Sequence, residues 1–228
     1  MRTKKQIFTL ALLLITAITF AQKTETRTFG DLSKLQIIGK TYVAELIPST
    51  ENKMEITSSD LTMDKIISAE SNGELKITVK GFASGNVSIK IYCKTIPPSI
   101  EISNGALLKS TEKIKVGQIL LVTNSDGYIH LILESENVTA QCNSGGDMTL
   151  EGTTQTFTAS ANTNATCRVE MMTMDNATVK AFIGAEIHLS AKNNISCTTG
   201  TNGKIHIYKP YATNITETNE SGGTVIRE

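Results

Sequence analysis

His130, His188 and His206 stand at one place in a repeating pattern, each between two apolar residues: Ile129/Leu131, Ile187/Leu189 and Ile205/Ile207. Imidazole is the side chain best suited to bind a metal or carry a proton near neutral pH, so three in one register amount to a chemical column. Alternation along a strand turns the apolar neighbours inward and the imidazoles outward, with Thr149 and Arg168 in the same position between them. His188 and His206 then fall on successive repeats. A second outward column, Tyr128, Asp147, Glu186 and Lys204, runs beside the first. The candidate binding residues are therefore Tyr128, His130, Asp147, Arg168, Glu186, His188, Lys204 and His206. The plainer reading is that an outward position accepts any polar residue. Stacked imidazoles one coil apart can bind a metal, and Glu186 and Lys204 flank them, but two histidines without a supporting Cys or carboxylate at ligand spacing make a weak site, so the sequence assigns no metal, no cofactor and no catalytic residue.

Other catalytic patterns are missing. Serine nucleophile elbows, phosphate loops, HExxH and CxxC are absent from the sequence. Glycan hydrolysis needs two carboxylates flanking the scissile bond. Asp126, Asp147, Glu151, Glu170 and Glu186 are outward acids, but they are spread over the repeats without converging. There is no Trp, and of the five Tyr, Tyr128, Tyr208 and Tyr211 are the ones placed to offer a sugar platform. The seven Asn-X-Ser/Thr triplets, at Asn86, Asn137, Asn164, Asn176, Asn194, Asn214 and Asn219, read as Asn at turns followed by strand Thr or Ser.

The elements that hold these columns repeat. Gly127, Gly146, Ala165, Gly184, Gly203 and Gly222 are each 19 residues apart. After each comes a short strand: Ile129/Leu131, Met148/Leu150, Cys167/Val169, Ile187/Leu189, Ile205/Ile207 and Thr224/Ile226. The fourth is offset by one, which implies a bulge near Ala185. A second strand family alternates at Val138/Ala140/Cys142, Phe157/Ala159/Ala161, Val179/Ala181/Ile183 and Ile195/Cys197/Thr199. Two strands and two turns cannot bury an apolar face alone, but stacked repeats can. The predicted inward ladders are Ile129, Met148, Cys167, Ile187, Ile205 and Ala140, Ala159, Ala181, Cys197. An antiparallel sandwich shares the composition but gives no reason for evenly spaced corners.

In the first half, strands are expected at Leu35–Ile38, Tyr42–Ile47, Lys53–Thr57, Glu74–Val79, Val87–Tyr92 and Ile100–Ser103, a tight turn at Asn72-Gly73, and a short helical turn within Asp60–Ser68. The fold class is all-β: a right-handed parallel β-helix or β-solenoid with coils of about 19 residues over 106–228, and a less regular β portion over 22–105 that caps one end. Glu217–Glu228 caps the other. Cys93, Cys142, Cys167 and Cys197 each lie in a strand-like run, which favours buried free thiols over disulfides.

Arg2, Lys4 and Lys5, the apolar run Ile7–Phe20 and Ala21 before Gln22 read as a secretory signal peptide, 1–21. Lysine plus arginine equals aspartate plus glutamate at 22 each, and losing the three leader cations leaves 19 against 22. That balance gives no reason to expect nucleic acid as a partner.

Several segments resemble the head GIN auto-transporter adhesin domain: Phe29-Gly30-Asp31-Leu32, Tyr42-Val43-Ala44-Glu45-Leu46, Asp60-Leu61 leading through Asp64-Lys65-Ile66 to Asn72-Gly73-Glu74-Leu75-Lys76-Ile77, and Ile100-Glu101-Ile102-Ser103-Asn104-Gly105. The resemblance covers most of 22–228 and implies an exported β-helical protein of the cell envelope, non-enzymatic, with a cell-surface glycan or envelope protein as partner. A glycan-active enzyme and a structural or self-assembling envelope module are the alternatives.

Overall fold

The computed structural model describes residues 23–40, 43–58, 63–81 and 87–228. The expected signal peptide, Tyr42, Asp60 and Asn86 lie outside the described residues. In the first half the strands are β1 (Lys23–Thr28), β2 (Lys34–Ile38), β3 (Val43–Pro48), β4 (Lys53–Ser58), β5 (Ile66–Ser71), β6 (Glu74–Val79), β7 (Val87–Cys93) and β8 (Ser99–Ser103). The expected helical turn is a single 3-10 turn at Met63–Lys65. Ile66–Ser68, assigned to it from sequence, is instead the start of β5. β5 and β6 close through Asn72 and Gly73, both left-handed (φ 53° and 74°), which is the two-residue hairpin turn that an Asn-Gly pair favours.

β9 (Leu107–Asn124), β10 (Tyr128–Asn143) and β11 (Asp147–Asn162) are long strands that each run round a corner. They are followed by β12 (Thr166–Arg168), β13 (Met172–Phe182), β14 (Glu186–Leu189), β15 (Asn194–Gly200), β16 (Lys204–Ile207), β17 (Asn214–Asn219) and β18 (Thr224–Arg227). All pairings from β8 onward are parallel, coil over coil, and the chain forms a β-solenoid. One wall stacks Tyr128, Asp147, Thr166, Glu186, Lys204 and Thr224; the other stacks Val138, Phe157, Ala177, Ile195 and Ile215. The first half is less regular but continuous with both walls. β2 and β8 extend the second wall, β3 and β7 the first, and the antiparallel strands β1 and β4, and β5, finish their outer edges.

The core is built as ladders. Ile129, Met148, Cys167, Ile187 and Ile205 are in register and fully buried, as alternation predicts. Each fully buried Leu or Ile contributes about 1.5–3 kcal/mol, and the buried set runs unbroken from Leu35 to Ile207. On the opposite wall the small-residue column is Ala140, Ala159, Val179, Cys197, not Ala181, because β13 pairs Ala177 with Phe157. Ile183 leaves the strand altogether: it has φ 53° and is 52% exposed, so it begins the turn rather than ending the inward set.

The corners correct the 19-residue repeat. Residues 128, 147, 166, 186, 204 and 224 are equivalent, so the spacings are 19, 19, 20, 18 and 20. Ala185 and Gly223, not Gly184 and Gly222, occupy the corner of Gly127 and Gly146, since Lys204 N donates to Ala185 O and Thr224 N to Gly203 O as Asp147 N does to Gly127 O. Val225 accordingly replaces Ile226 on the inward side. No bulge lies near Ala185. The register changes between Thr149↔Arg168 and Gly152↔Met172, which puts the extra residue at Glu170-Met171.

Candidate functional site

Because inward positions on β10, β11, β12, β14 and β16 are filled by apolar ladders, every second residue is forced outward. The outward columns are Tyr128–Asp147–Thr166–Glu186–Lys204–Thr224 and His130–Thr149–Arg168–His188–His206–Ile226. All eight candidate residues therefore share one wall, but they form two clusters. Three strand steps of roughly 4.8 Å separate Tyr128 and His130 on β10 from Glu186 and His188 on β14.

The β10 cluster is made of ordinary polar pairs. Tyr128 Oη donates to Thr149 Oγ1 at 3.3 Å. His130 Nε2 lies 2.8 Å from Glu151 Oε1, with both side chains about one third exposed. Asp147 and Arg168 stand between the two clusters in register, and the positive field of Arg168 reaches His188.

Around β14 and β16 the groups converge. The rings of His188 and His206 stack with centroids 4.4 Å apart and planes 8° from parallel. His188 Nδ1 is 3.1 Å from Tyr208 Oη, and His206 Nδ1 is 3.0 Å from Glu228 Oε1. Glu186 divides its two oxygens: Oε1 accepts from Lys204 Nζ at 2.9 Å, and Oε2 faces His188 Nε2 at 3.8 Å. One ligand atom from each of Glu186, His188 and His206 lies within 4.8 Å of the other two.

The electrostatics follow from this crowding. Burial, reinforced by the neighbouring His206, pulls His188 below the ordinary imidazole value. The hydrogen bond from Lys204 holds the Glu186 carboxyl below the usual carboxylate range. Glu170 also acts on this cluster: its charge bears on both His188 and Tyr208, while its Oε2 is buried with no hydrogen-bond partner.

Sequence reasoning identified Glu186, His188, Lys204 and His206 but did not join Tyr208, Glu228 or Glu170 to them. The available signal is a third outward position, two residues after each member of the His column: Glu151, Glu170, Tyr208 and Glu228 follow Thr149, Arg168, His206 and Ile226. Tyr208 and Glu228 continue their strands, as Tyr208 N donates to Leu189 O and Glu228 N to Ile207 O.

Elsewhere, an open groove of about 660 Å³ follows the corner between the walls and includes Lys115, Glu134, Thr153, Asp175 and Lys192. Two of its acids are ion-paired, Glu134 with Lys113 and Lys115 and Asp175 with Lys192, while Glu136 also lines it. Several Asn of the glycosylation-like triplets are accounted for by ladders. Asn194 Nδ2 donates to Asn176 Oδ1 and Asn214 Nδ2 to Asn194 Oδ1, at 2.6 and 3.0 Å.

Among solved structures, the chain resembles a "putative adhesin" from Bacteroides fragilis with TM-score 0.80 at 15% identity, covering 91% of this chain and 97% of that one. A "putative adhesin" from Parabacteroides merdae gives TM-score 0.72 at 15% identity over 91% and 96%. A "putative lipid binding protein" from Parabacteroides distasonis gives 0.71 at 13% identity over 91% and 96%. At such identities the likeness establishes the fold alone. No curated protein matches the chain. The family described as "Putative auto-transporter adhesin, head GIN domain" matches residues 32–210. That span runs from β2 to β16 and takes in both clusters apart from Glu228, and the protein belongs to the head GIN domain family.

Proposed function

We propose that the protein is an exported, non-enzymatic cell-envelope component that binds a glycan or another macromolecule through the outward face of its first wall. The observation carrying this reading is the register itself. Five consecutive coils present Tyr128, His130, Asp147, Arg168, Glu186, His188, Lys204 and His206 at fixed inter-strand spacing on a rigid support. A face of mixed charge with few apolar groups suits a polar, extended partner. Among the described residues the large exposed apolar side chains, Ile67, Met171, Ile183 and Tyr211, are scattered rather than gathered into a patch. Family membership and the adhesin naming of the structural neighbours support the same reading and an exported or surface location.

Catalysis on glycans finds less support. On the wall Glu151 is engaged by His130 and Glu186 by Lys204, and in the corner groove Glu134 and Asp175 are held by lysines. The test is a binding screen of the protein against glycan arrays and cell-envelope fractions, beside a Tyr128→Ser/Arg168→Glu variant that alters the face outside the histidine cluster. Saturable binding weakened at least about tenfold by the variant, a loss of about 1.4 kcal/mol, is the expected result. Absence of binding to every fraction, or binding indifferent to the variant, overturns this face as the contact surface.

A further inference from the structure

We propose that Glu186, His188 and His206 form a binding site for a divalent transition-metal ion of the zinc class, with Tyr208 and Glu228 as the outer groups that orient the two imidazoles. The sequence supplies two histidines with no obvious third ligand. The fold supplies it, because Glu186 sits two residues before His188 on β14 and both project to the same side.

The hydrogen bonds select the ligand atoms. A carboxylate only accepts, so the 3.0 Å contact between His206 Nδ1 and Glu228 Oε1 puts the proton on Nδ1 and leaves Nε2 with its lone pair. Tyr208 Oη can accept from His188 Nδ1 in the same way at 3.1 Å, and His188 Nε2 then faces Glu186 Oε2 at 3.8 Å. Histidines that ligate metals characteristically donate their other ring N–H to a carboxylate or another acceptor, as His206 does to Glu228 and as His188 can to Tyr208. The near-parallel stacking, with centroids 4.4 Å apart and 8° between planes, holds the two rings side by side on adjacent coils. Lys204 occupies Oε1 of Glu186 and so leaves Oε2 for the ion. Ligand atoms around a tetrahedral zinc are about 3.3 Å apart, given bonds near 2.05 Å; starting from within 4.8 Å, side-chain rotations close the difference.

Two imidazoles and one carboxylate select the class of ion. Calcium and magnesium prefer all-oxygen sets, whereas imidazole suits zinc, copper and nickel. Three protein ligands leave further coordination positions for water or for a donor group of a partner. Lys204 opposes the ion by like charge, while Glu170, whose buried Oε2 is unpartnered and whose charge bears on His188, favours it. This site does not depend on the adhesive reading, since an ion can be held whether or not a macromolecule docks beside it.

The test is titration of the untagged protein with ZnCl2 by calorimetry and with CoCl2 by visible absorption, beside His188→Ala, His206→Ala, Tyr208→Phe and, as a control, His130→Ala. The expected result is one equivalent bound by wild type and by His130→Ala, no saturable binding by either site variant, and roughly 10–100-fold weaker binding by Tyr208→Phe. Side-chain nitrogen NMR of the wild-type protein makes the result independent of variant folding: zinc should shift His188 and His206 and leave His130 in place. Saturable binding in neither titration, binding that survives His188→Ala and His206→Ala, or zinc shifts that include His130 equally would each overturn the site.

Discussion

One oxygen atom separates the residues that successive turns can carry. At the corner between the second wall and the next coil, the paired left-handed residues are Asn104-Gly105, Ser125-Asp126, Ser144-Gly145, Thr163-Asn164, Ile183-Gly184, Thr201-Asn202 and Ser221-Gly222. The second member alternates between Gly and an Asp or Asn. A Cβ on Gly145 would stand 2.5 Å from Asp126 Oδ1, and one on Gly184 would stand 2.7 Å from Asn164 Oδ1, so each polar side chain lies over the glycine of the following coil. Gly105 has the same left-handed conformation with nothing within 4 Å. Gly105→Ala should therefore cost only the backbone penalty of about 1–2 kcal/mol, and Gly145→Ala more. The excess at Gly145 should disappear in an Asp126→Gly background, as a double-mutant cycle by urea unfolding would reveal; equal costs at the two glycines would refute the covering role. The thiols offer a second residue-scale check. All four Cys are buried and free, and burial pushes Cys93 and Cys197 up to about 12. Cys167 is also raised, by its contact with Cys142 and by burial. No thiol should react with an aromatic disulfide reagent at pH 8 until the protein is unfolded, when four should appear. Two missing after unfolding would mean that Cys142 and Cys167 oxidise together.

At the scale of elements, the two corners behave differently. The two-residue left-handed turn recurs unchanged, whereas every change in coil length falls at or near the opposite corner. β9 carries two extra residues between Ser110 and Lys113, the coil of β12 and β13 one at Glu170-Met171, and the segment between Ile207 and Asn214 two more relative to Leu189–Asn194. A single Gly inserted between Ser135 and Glu136 should cost less than about 1.5 kcal/mol. The same residue between Ser144 and Gly145 should cost above about 3, because a one-residue slip turns inward residues outward. Thermal and urea unfolding compare the two, and similar losses would show that both corners constrain register. This asymmetry also explains what was legible in the sequence. The stretches from Gly127 to Leu150 and from Ile187 to Ile207 could be read because apolar alternation and the Gly corner agree there. Ile183 misled because a branched apolar residue in a left-handed turn looks like a strand residue until the turn is seen. β1 left no signal at all, since Lys23–Thr28 is a polar edge strand with no apolar face. At the candidate site the outward columns were legible, but the convergence of Tyr208 and Glu228 was not. Their partners His188 and His206 lie 20 and 22 residues away across a corner of variable length.

For the whole molecule, the difficulty of a solenoid is its ends, where a strand edge and a core cross-section face water. At the first end, Arg27 ties the outer strands of both walls, donating to Ile66 O at 2.7 Å and Ser68 Oγ at 3.0 Å. At the other end, β17 and β18 have partners on one side only among the described residues. Their inward positions break the apolar ladders: Glu217 stands over Cys197 and Arg227 over Ile207, and the two side chains meet at 2.5 Å. Thr199 Oγ1 completes this lid by donating to Asn219 Oδ1 at 2.7 Å. Replacing a half-exposed ion pair by apolar residues of similar size changes fold stability little, so the contribution of the pair lies in keeping the end unattractive to a second chain. Glu217→Leu/Arg227→Leu would extend the ladders to the last coil and leave apolar side chains beside two free strand edges. The variant should unfold within about 1 kcal/mol of wild type yet associate reversibly in sedimentation velocity as concentration rises, beyond any association of the wild type. Lys204→Ala, one coil in and on the outward side, should not change the sedimentation. If the double variant stays folded and sediments as wild type does at the highest concentrations, the edges are protected by the twist and shortness of β17 and β18, and the ion pair is dispensable for solubility.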